Sequence, residues 1–240
     1  MRYRARMAAS RADLDAALRL RGRAFRNLPT GEVADRFDAA CRHVLIEDSR
    51  DGNLVCCYRL LLLDDGGGLG QSYAAQYYDL APLARYRAPM LEMGRFCVAP
   101  DHSDPDILRH AWAALTRFVD DNHVKMLFGC TSFAGIDPHP YREAFALLHQ
   151  RHLAPAPLRP VRKAAERVEF PDEAAMGNEE FAKAIKQLPT LLRSYLTLGG
   201  FVSDHGVIDR DLTTIHVFTA LEVDQIPPVR ARLLRQISSF

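Results

Sequence analysis

The sequence has no run approaching the roughly 18 apolar residues that a membrane span requires. Its first ten residues, MRYRARMAAS, contain arginines but no apolar core of the kind a signal peptide carries. A cytoplasmic protein is therefore expected. The five cysteines, Cys41, Cys56, Cys57, Cys97 and Cys130, show no C-x-x-C spacing, which argues against a zinc ribbon or a redox motif. They fall mostly in apolar, strand-like stretches, where reduced and buried thiols are the expectation. The histidines lack the i, i+4 pairing with an acidic partner that helical metal sites show, so no metal is expected. Nucleotide fingerprints are missing as well. The segment GGGLGQS at residues 66–72 follows a strand-like run, yet it has neither G-x-G-x-x-G spacing nor a P-loop lysine.

What is present suits one soluble domain spanning residues 1–240, with 48% hydrophobic and 25% charged residues to build a core and a surface. A formal net charge of +1 hides an asymmetry. Residues 1–26 carry eight arginines against Asp13 and Asp15, a local charge of +6. A second basic cluster, Arg159, Arg162, Lys163 and Arg167, is opposed in sequence only by Glu166. Such patches suit an acidic protein partner, an anionic membrane surface or nucleic acid, and solvated arginines without a partner are the plainer alternative.

Tyr3 to Met7 reads as a strand, and Ser10 with Asp13 starts a helix through Arg26. RHVLIED (42–48) and LVCCYRLLLL (54–63) read as a hairpin joined by Asp51-Gly52-Asn53. Further strands are predicted at 90–98 and 124–133, with a helix between them opened by Asp104-Pro105-Asp106 and another from Tyr141 to His152. A helix near 178–198, broken or bent at Pro189, precedes a closing strand at 213–223. Helices interrupting a mainly antiparallel sheet define an α/β or α+β domain.

Three positions break the apolar pattern. Arg21 shares a helix stripe with Leu14, Leu18 and Phe25 and must point inward, where a carboxylate or a ligand anion has to satisfy it. Asp35 and Asp38 are candidates, and direct ligand contact is the alternative. Glu92 and Arg95 interrupt the strand MLEMGRFCV, and Gly94 between them invites a bulge that brings both to one side. A buried carboxylate is a common way to make a general base, and mutual ion pairing is the structural alternative. Arg59 in CCYRLLLL poses the same choice. After MLEMGRFCV, the turn APDHSDPDILRH contains no glycine. Asp104 can cap the helix, Pro105 removes one N–H, and Asp101 and Asp106 repel a diphosphate, so a nucleotide-bearing donor is disfavoured.

The spacing Arg21-x-x-x-Phe25, Asp35-x-x-Asp38, Tyr58-Arg59-Leu60 and Glu92-x-x-Arg95-Phe96 resembles the acyl-homoserine-lactone synthases over the N-terminal half. The tryptophan those synthases carry after the first helix is absent. Over residues 3 to 228 the chain resembles the ornithine N-acyltransferases that make lyso-ornithine lipid, in DRFDAACRHVLIED, SYAAQYYDL, EMGRFCVAPD, MLFGCTSFAG and LLRSYLTLGGFVSDHGVIDRDLTTIHVFTALEVDQIPP.

This resemblance implies a GNAT-type acyltransferase fold, a twisted mixed sheet flanked by helices and splayed between the strands at 90–98 and 124–133. The pantetheine arm would insert there, along Gly94, Phe96, Val98, Phe128, Gly129 and Phe133. It implies transfer of a 3-hydroxyacyl group from the phosphopantetheine thioester of acyl carrier protein to the α-amine of ornithine, or of glutamine in close relatives. No bound cofactor, metal or nucleic-acid partner is implied. Glu92 would be the base, and Arg95 or Arg59 would hold the acceptor's carboxylate. Asp35 or Asp38 would order the first helix through Arg21, with Phe25 on the substrate side. Tyr73, Tyr77, Tyr78, Phe128 and Phe133 are candidate acyl-chain walls, and core packing explains them equally well. Peripheral contact with an anionic membrane is compatible with the lipid product. The rivals are a homoserine-lactone synthase, a coenzyme-A-dependent acetyltransferase, and a catalytically silent carrier- or membrane-binding module.

Overall fold

The structure, a computed structural model, describes residues 2–28, 31–172 and 177–238. Its strands are β1 (Tyr3–Met7), β2 (Arg42–Asp48), β3 (Leu54–Leu63), β4 (Tyr78–Asp79), β5 (Met90–Val98), β6 (Met126–Ala134), β7 (Val161–Arg162), β8 (Arg167–Glu169), β9 (Phe201–Asp209) and β10 (Thr214–Glu222). Its helices are α1 (Arg11–Arg26), α2 (Pro105–Asp121), α3 (Arg142–Arg151), α4 (Asn178–Gln187), α5 (Thr190–Thr197) and α6 (Pro228–Ser238). This is a mixed α/β architecture, and it divides into two compact units.

The first unit comprises Met1–Leu62, Leu91–Val124 and Pro228–Phe240. Its strands lie in the order β1-β2-β3-β5. β1 and β2 are antiparallel with Tyr3 opposite Asp48, and β2 and β3 form the expected hairpin, turned by Gly52 at φ 75°. α1 starts where Ser10 accepts the Asp13 N–H, and its inner side sets Ala17 and Leu20 against Leu45, Cys57 and Cys97. α2 starts at Asp104, whose side chain accepts the Asp106 N–H. Ile107, Ala111, Leu115 and Phe118 form its buried stripe at helical spacing. Each large side chain so buried contributes roughly 1.5–3 kcal/mol. α6 packs along α2, and Arg235 grips Asp120 through two N–H donors at 3.0 and 2.9 Å.

The second unit comprises Leu63–Met90 and Lys125–Pro227. Its main strands lie in the order β6-β10-β9-β8, each pair antiparallel, and β4 pairs separately with β7. Phe133, Phe145, Leu148, Leu192 and Val217 lie in one buried cluster with α3 and α4 side chains. Pro189 ends one helix and begins the next, splitting the predicted 178–198 segment into α4 and α5.

The strand expected at 213–223 is β10, which lies between β6 and β9, and the expectation lacked two elements. β9 escaped the pattern because Ser203, His205 and Gly206 are buried within it, so neither face alternates apolar with polar. The chain also continues after β10 into α6, whose arginines obscure its helical period.

Candidate active site

Gly22 is where the site begins. A Cβ on it would lie 1.9 Å from the Gly31 carbonyl oxygen, so only glycine lets the chain returning from α1 pass this close. α1 ends at Asn27, which takes the left-handed conformation (φ 51°), and the Val33 N–H then bonds the Leu18 carbonyl. This folds residues 31–38 back over the helix face that carries Arg21. Within the segment, Asp38 Oδ2 accepts the Asp35 N–H at 2.9 Å and Asp35 Oδ1 accepts the Phe37 N–H at 2.9 Å.

Three arginines converge on these two carboxylates. Arg21, fully buried, donates from Nη1 to Asp38 Oδ1 at 2.6 Å. Its Nη2 lies 3.0 Å from Nδ1 of His43, whose Nε2 lies 3.0 Å from the Asp38 carbonyl oxygen. Arg59 donates from Nη1 to Asp35 Oδ1 at 2.5 Å and Asp38 Oδ1 at 2.8 Å. Arg95 grips Asp35 Oδ2 with Nε at 3.1 Å and Nη2 at 2.6 Å. Burial opposes the Asp35 charge, but the Arg59 and Arg95 guanidiniums prevail and hold its carboxyl down to about 2. Burial likewise opposes the Asp38 charge, and Arg21, the Asp35 N–H and Arg59 together hold its carboxyl below the usual range. Burial, with the Arg21 charge, lowers His43 below the ordinary imidazole value.

Arg95 reaches Asp35 because it sits at φ +54°, a left-handed residue inside a strand. The kink predicted at Gly94 is therefore centred one residue later. Space does not require glycine at position 94, since a Cβ there would meet Arg59 Nε at an ordinary 3.5 Å. Glu92 is 5% exposed on the same strand. Its charge, with those of Arg59, Asp38 and Asp35, is felt at Cys41, whose thiol is pushed up to about 11, mainly by burial. Cys41 is a member of this cluster that the sequence did not single out.

The first unit thus brings together Arg21, Asp35, Asp38, Arg59 and Arg95, adds His43 and Cys41, and keeps Glu92 within electrostatic reach. Phe25 packs beside the α1 core cluster, and Phe96 stacks on Tyr58 at 5.7 Å. Val98 is half-buried at the end of β5.

The second unit holds the remaining candidates. Phe128 stacks on Phe218 at 6.0 Å, Gly129 lies opposite Thr219, and Phe133 packs on Phe145 at 4.9 Å within the core cluster. Tyr73 donates to Asp209 at 2.6 Å, and the buried Tyr78 hydroxyl donates to the His216 carbonyl at 2.9 Å. The basic cluster finds partners within its own unit, mostly at an exposed surface. Arg162 binds Glu169 and Asp204, Lys163 and Arg159 donate to backbone carbonyls, and Glu166 binds Arg210 instead. Sequence spacing could not show Glu169 and Asp204 arriving from β8 and β9.

The strand-borne carboxylate and its arginine-aspartate lattice, in a mixed α/β frame, belong to an acyltransferase of the GNAT type, as the comparisons show. The family model described as an acetyltransferase (GNAT) domain matches residues 19–113. The L-ornithine N(alpha)-acyltransferase of Rhodobacter capsulatus is 34% identical over 194 residues, covering 79% of this chain and 74% of that protein. The enzyme of the same name from Brucella abortus is 29% identical, covering 92% and 84%. The chain belongs to the L-ornithine Nα-acyltransferase family and is an N-acyltransferase. Among solved structures, FeeM, an N-acyl amino acid synthase from uncultured soil microbes, aligns over 100% of this chain and 98% of its own at 13% identity and a TM-score of 0.50. BjaI, a coenzyme-A-dependent acyl-homoserine lactone synthase, aligns over 99% and 90% at 12% identity and a TM-score of 0.54.

Proposed function

We propose that this enzyme moves a 3-hydroxyacyl group from acyl carrier protein to the α-amine of L-ornithine, giving lyso-ornithine lipid. The observation that carries this reading is the 34% identity to the Rhodobacter capsulatus L-ornithine N(alpha)-acyltransferase over most of both chains. Glu92 takes a proton from the α-ammonium, and the freed amine attacks the thioester carbonyl. A C–N bond forms, the C–S bond breaks, and the second proton shed by the nitrogen as it becomes an amide converts the departing thiolate into the thiol of phosphopantetheine. Gly94, Phe96 and Val98 lie further along β5 as the positions proposed to meet the pantetheine arm.

Arg59 is 2% exposed and divided between Asp35 and Asp38, so its part is to hold the lattice together. Arg95 meets the acceptor's carboxylate in this reading, which is supported by its side chain being 11% exposed and anchored on the partly exposed Asp35. Asp38 positions Arg21, and through it α1.

Support for a carrier-protein donor lies at the start of α2. Asp104 fills the helix N-terminus, accepting the Asp106 N–H at 3.0 Å, the Tyr3 hydroxyl at 2.8 Å and Arg2 at 2.8 Å, and Pro105 has no N–H to offer. A negative charge already occupies the place where backbone N–H groups would receive a diphosphate. The test is the lipid extract of a heterologous host expressing this chain. A new lipid of the mass of a 3-hydroxyacyl ornithine supports the reading, and an unchanged extract from cells containing folded protein opposes it.

A further inference from the structure

The end of the chain carries a pattern that acyl transfer does not use. Residues 228–240 contain Arg230, Arg232 and Arg235 and no aspartate or glutamate. Arg235 is tied to Asp120, whereas no carboxylate among the described residues forms an ion pair with Arg230 or Arg232. On the same helix Val229 and Leu233, four residues apart and therefore on one face, are 67% and 53% exposed. At 100° per residue, Arg230 and Arg232 flank that apolar stripe on either side. Beside α6 a cavity of about 850 Å³ runs along β1 and α2. Met7, itself 37% exposed, lines it with Ala113, Phe118 and Leu233, and Arg4 and Arg109 add positive charge. Asp121 is the one carboxylate among its lining residues.

We infer that this face of the first unit, formed by α6 and the groove beside it, docks on an anionic bilayer surface. α6 lies in the interfacial plane, with Val229 and Leu233 entering the acyl boundary and Arg230 and Arg232 at headgroup level. Charge and shape select this occupant over two others. A second copy of the chain, paired through a twofold axis, would set these arginines against their own counterparts. An acidic protein would meet the arginines, but Val229 and Leu233 project outward, as residues entering a lipid phase do. The inference goes beyond the proposed reaction and is read without any acyl transfer, so failure of one leaves the other standing.

The experiment is co-sedimentation of the full chain with vesicles of phosphatidylcholine alone and of phosphatidylcholine mixed with phosphatidylglycerol, at low and high salt. Binding is expected only to the mixed vesicles and should weaken as salt rises. Each juxtamembrane arginine is worth roughly fivefold in partitioning, so Arg230→Gln with Arg232→Gln should lower binding on the order of 25-fold. Val229→Ser with Leu233→Ser should lower the binding that survives at high salt. Arg85→Gln with Arg193→Gln, charge losses in the other unit, should change nothing, and all three variants should keep the parent's thermal midpoint and turnover. The inference is overturned by absence of vesicle binding, by α6 variants that bind as the parent does, or by sedimentation equilibrium showing that the α6 residues instead hold two copies together.

Discussion

Nη2 of Arg21 lies 3.0 Å from Nδ1 of His43. A guanidinium has only donors, so Nδ1 must accept, and Nε2 carries the ring's single proton, which it gives to the Asp38 carbonyl at 3.0 Å. His43 is therefore neutral in the native state, and protonating it would set an N–H against the N–H of a buried cation.

A pH dependence follows, with a definite sign. Burial holds the folded-state pKa of His43 below its ordinary value, so the unfolded chain binds the proton more readily than the native one. Stability on this account is fully present above about 6.5, the unfolded imidazole value, and falls as pH drops toward the folded value. Nitrogen NMR of the ring should show the Nε2–H tautomer at neutral pH and a titration below 6.5. A ring that titrates at or above that value would contradict the arrangement.

Asp38 is the node shared by Arg21 and Arg59. Asp38→Asn keeps the shape and removes the charge, leaving two buried guanidiniums undercompensated. Urea unfolding should report a loss of about 3 kcal/mol or more, the usual consequence of deleting one partner of a buried pair. A loss under about 1 kcal/mol, the scale of an exposed ion pair, would mean that the lattice does not hold α1 in place.

Much of this lattice was legible before folding. Arg21 stood out because a charge on an apolar helix stripe must find a counter-charge, and Asp35 and Asp38 were the candidates. Glu92, Arg59 and Arg95 stood out as charges in apolar strands. What was not legible depends on contacts between distant segments. Gly22 is unremarkable in a helix until Gly31 is seen against it. His43 and Cys41 belong to the site only because β2 lies beside β3. The left-handed Arg95 contradicts its own propensity, and the tie to Asp35 holds it there. In the second unit β9 was missed because strands buried on both faces do not alternate, and the basic cluster looked unopposed until Glu169 and Asp204 met it.

Glu92→Gln should leave the fold intact, since the replacement is nearly isosteric, and should lower kcat by about 10²–10⁴-fold, the usual contribution of a general base. Single-turnover rates with a saturating acceptor are the direct reading. A variant that turns over like the parent removes Glu92 from proton transfer.

The two arginines nearest Asp35 should behave differently. Arg95→Lys keeps the charge but loses the two-pronged geometry, so KM for the amino acid should rise by about tenfold or more, while the thermal midpoint moves little. Arg59→Lys should do the reverse, lowering the midpoint because its guanidinium bridges the buried Asp38 and the partly buried Asp35. If both variants changed only stability, the acceptor's carboxylate would have to be held elsewhere.

The acceptor's identity can be measured on the purified chain. A 3-hydroxyacyl chain is presented on acyl carrier protein and, separately, on coenzyme A, with L-ornithine or L-glutamine as acceptor, and the product is located by fragmentation mass spectrometry. Acylation of the ornithine α-amine is expected, with kcat/KM far higher from the carrier protein than from coenzyme A. Transfer to the δ-amine, preferential transfer to glutamine, or no transfer to ornithine by a folded enzyme that accepts the donor would contradict it.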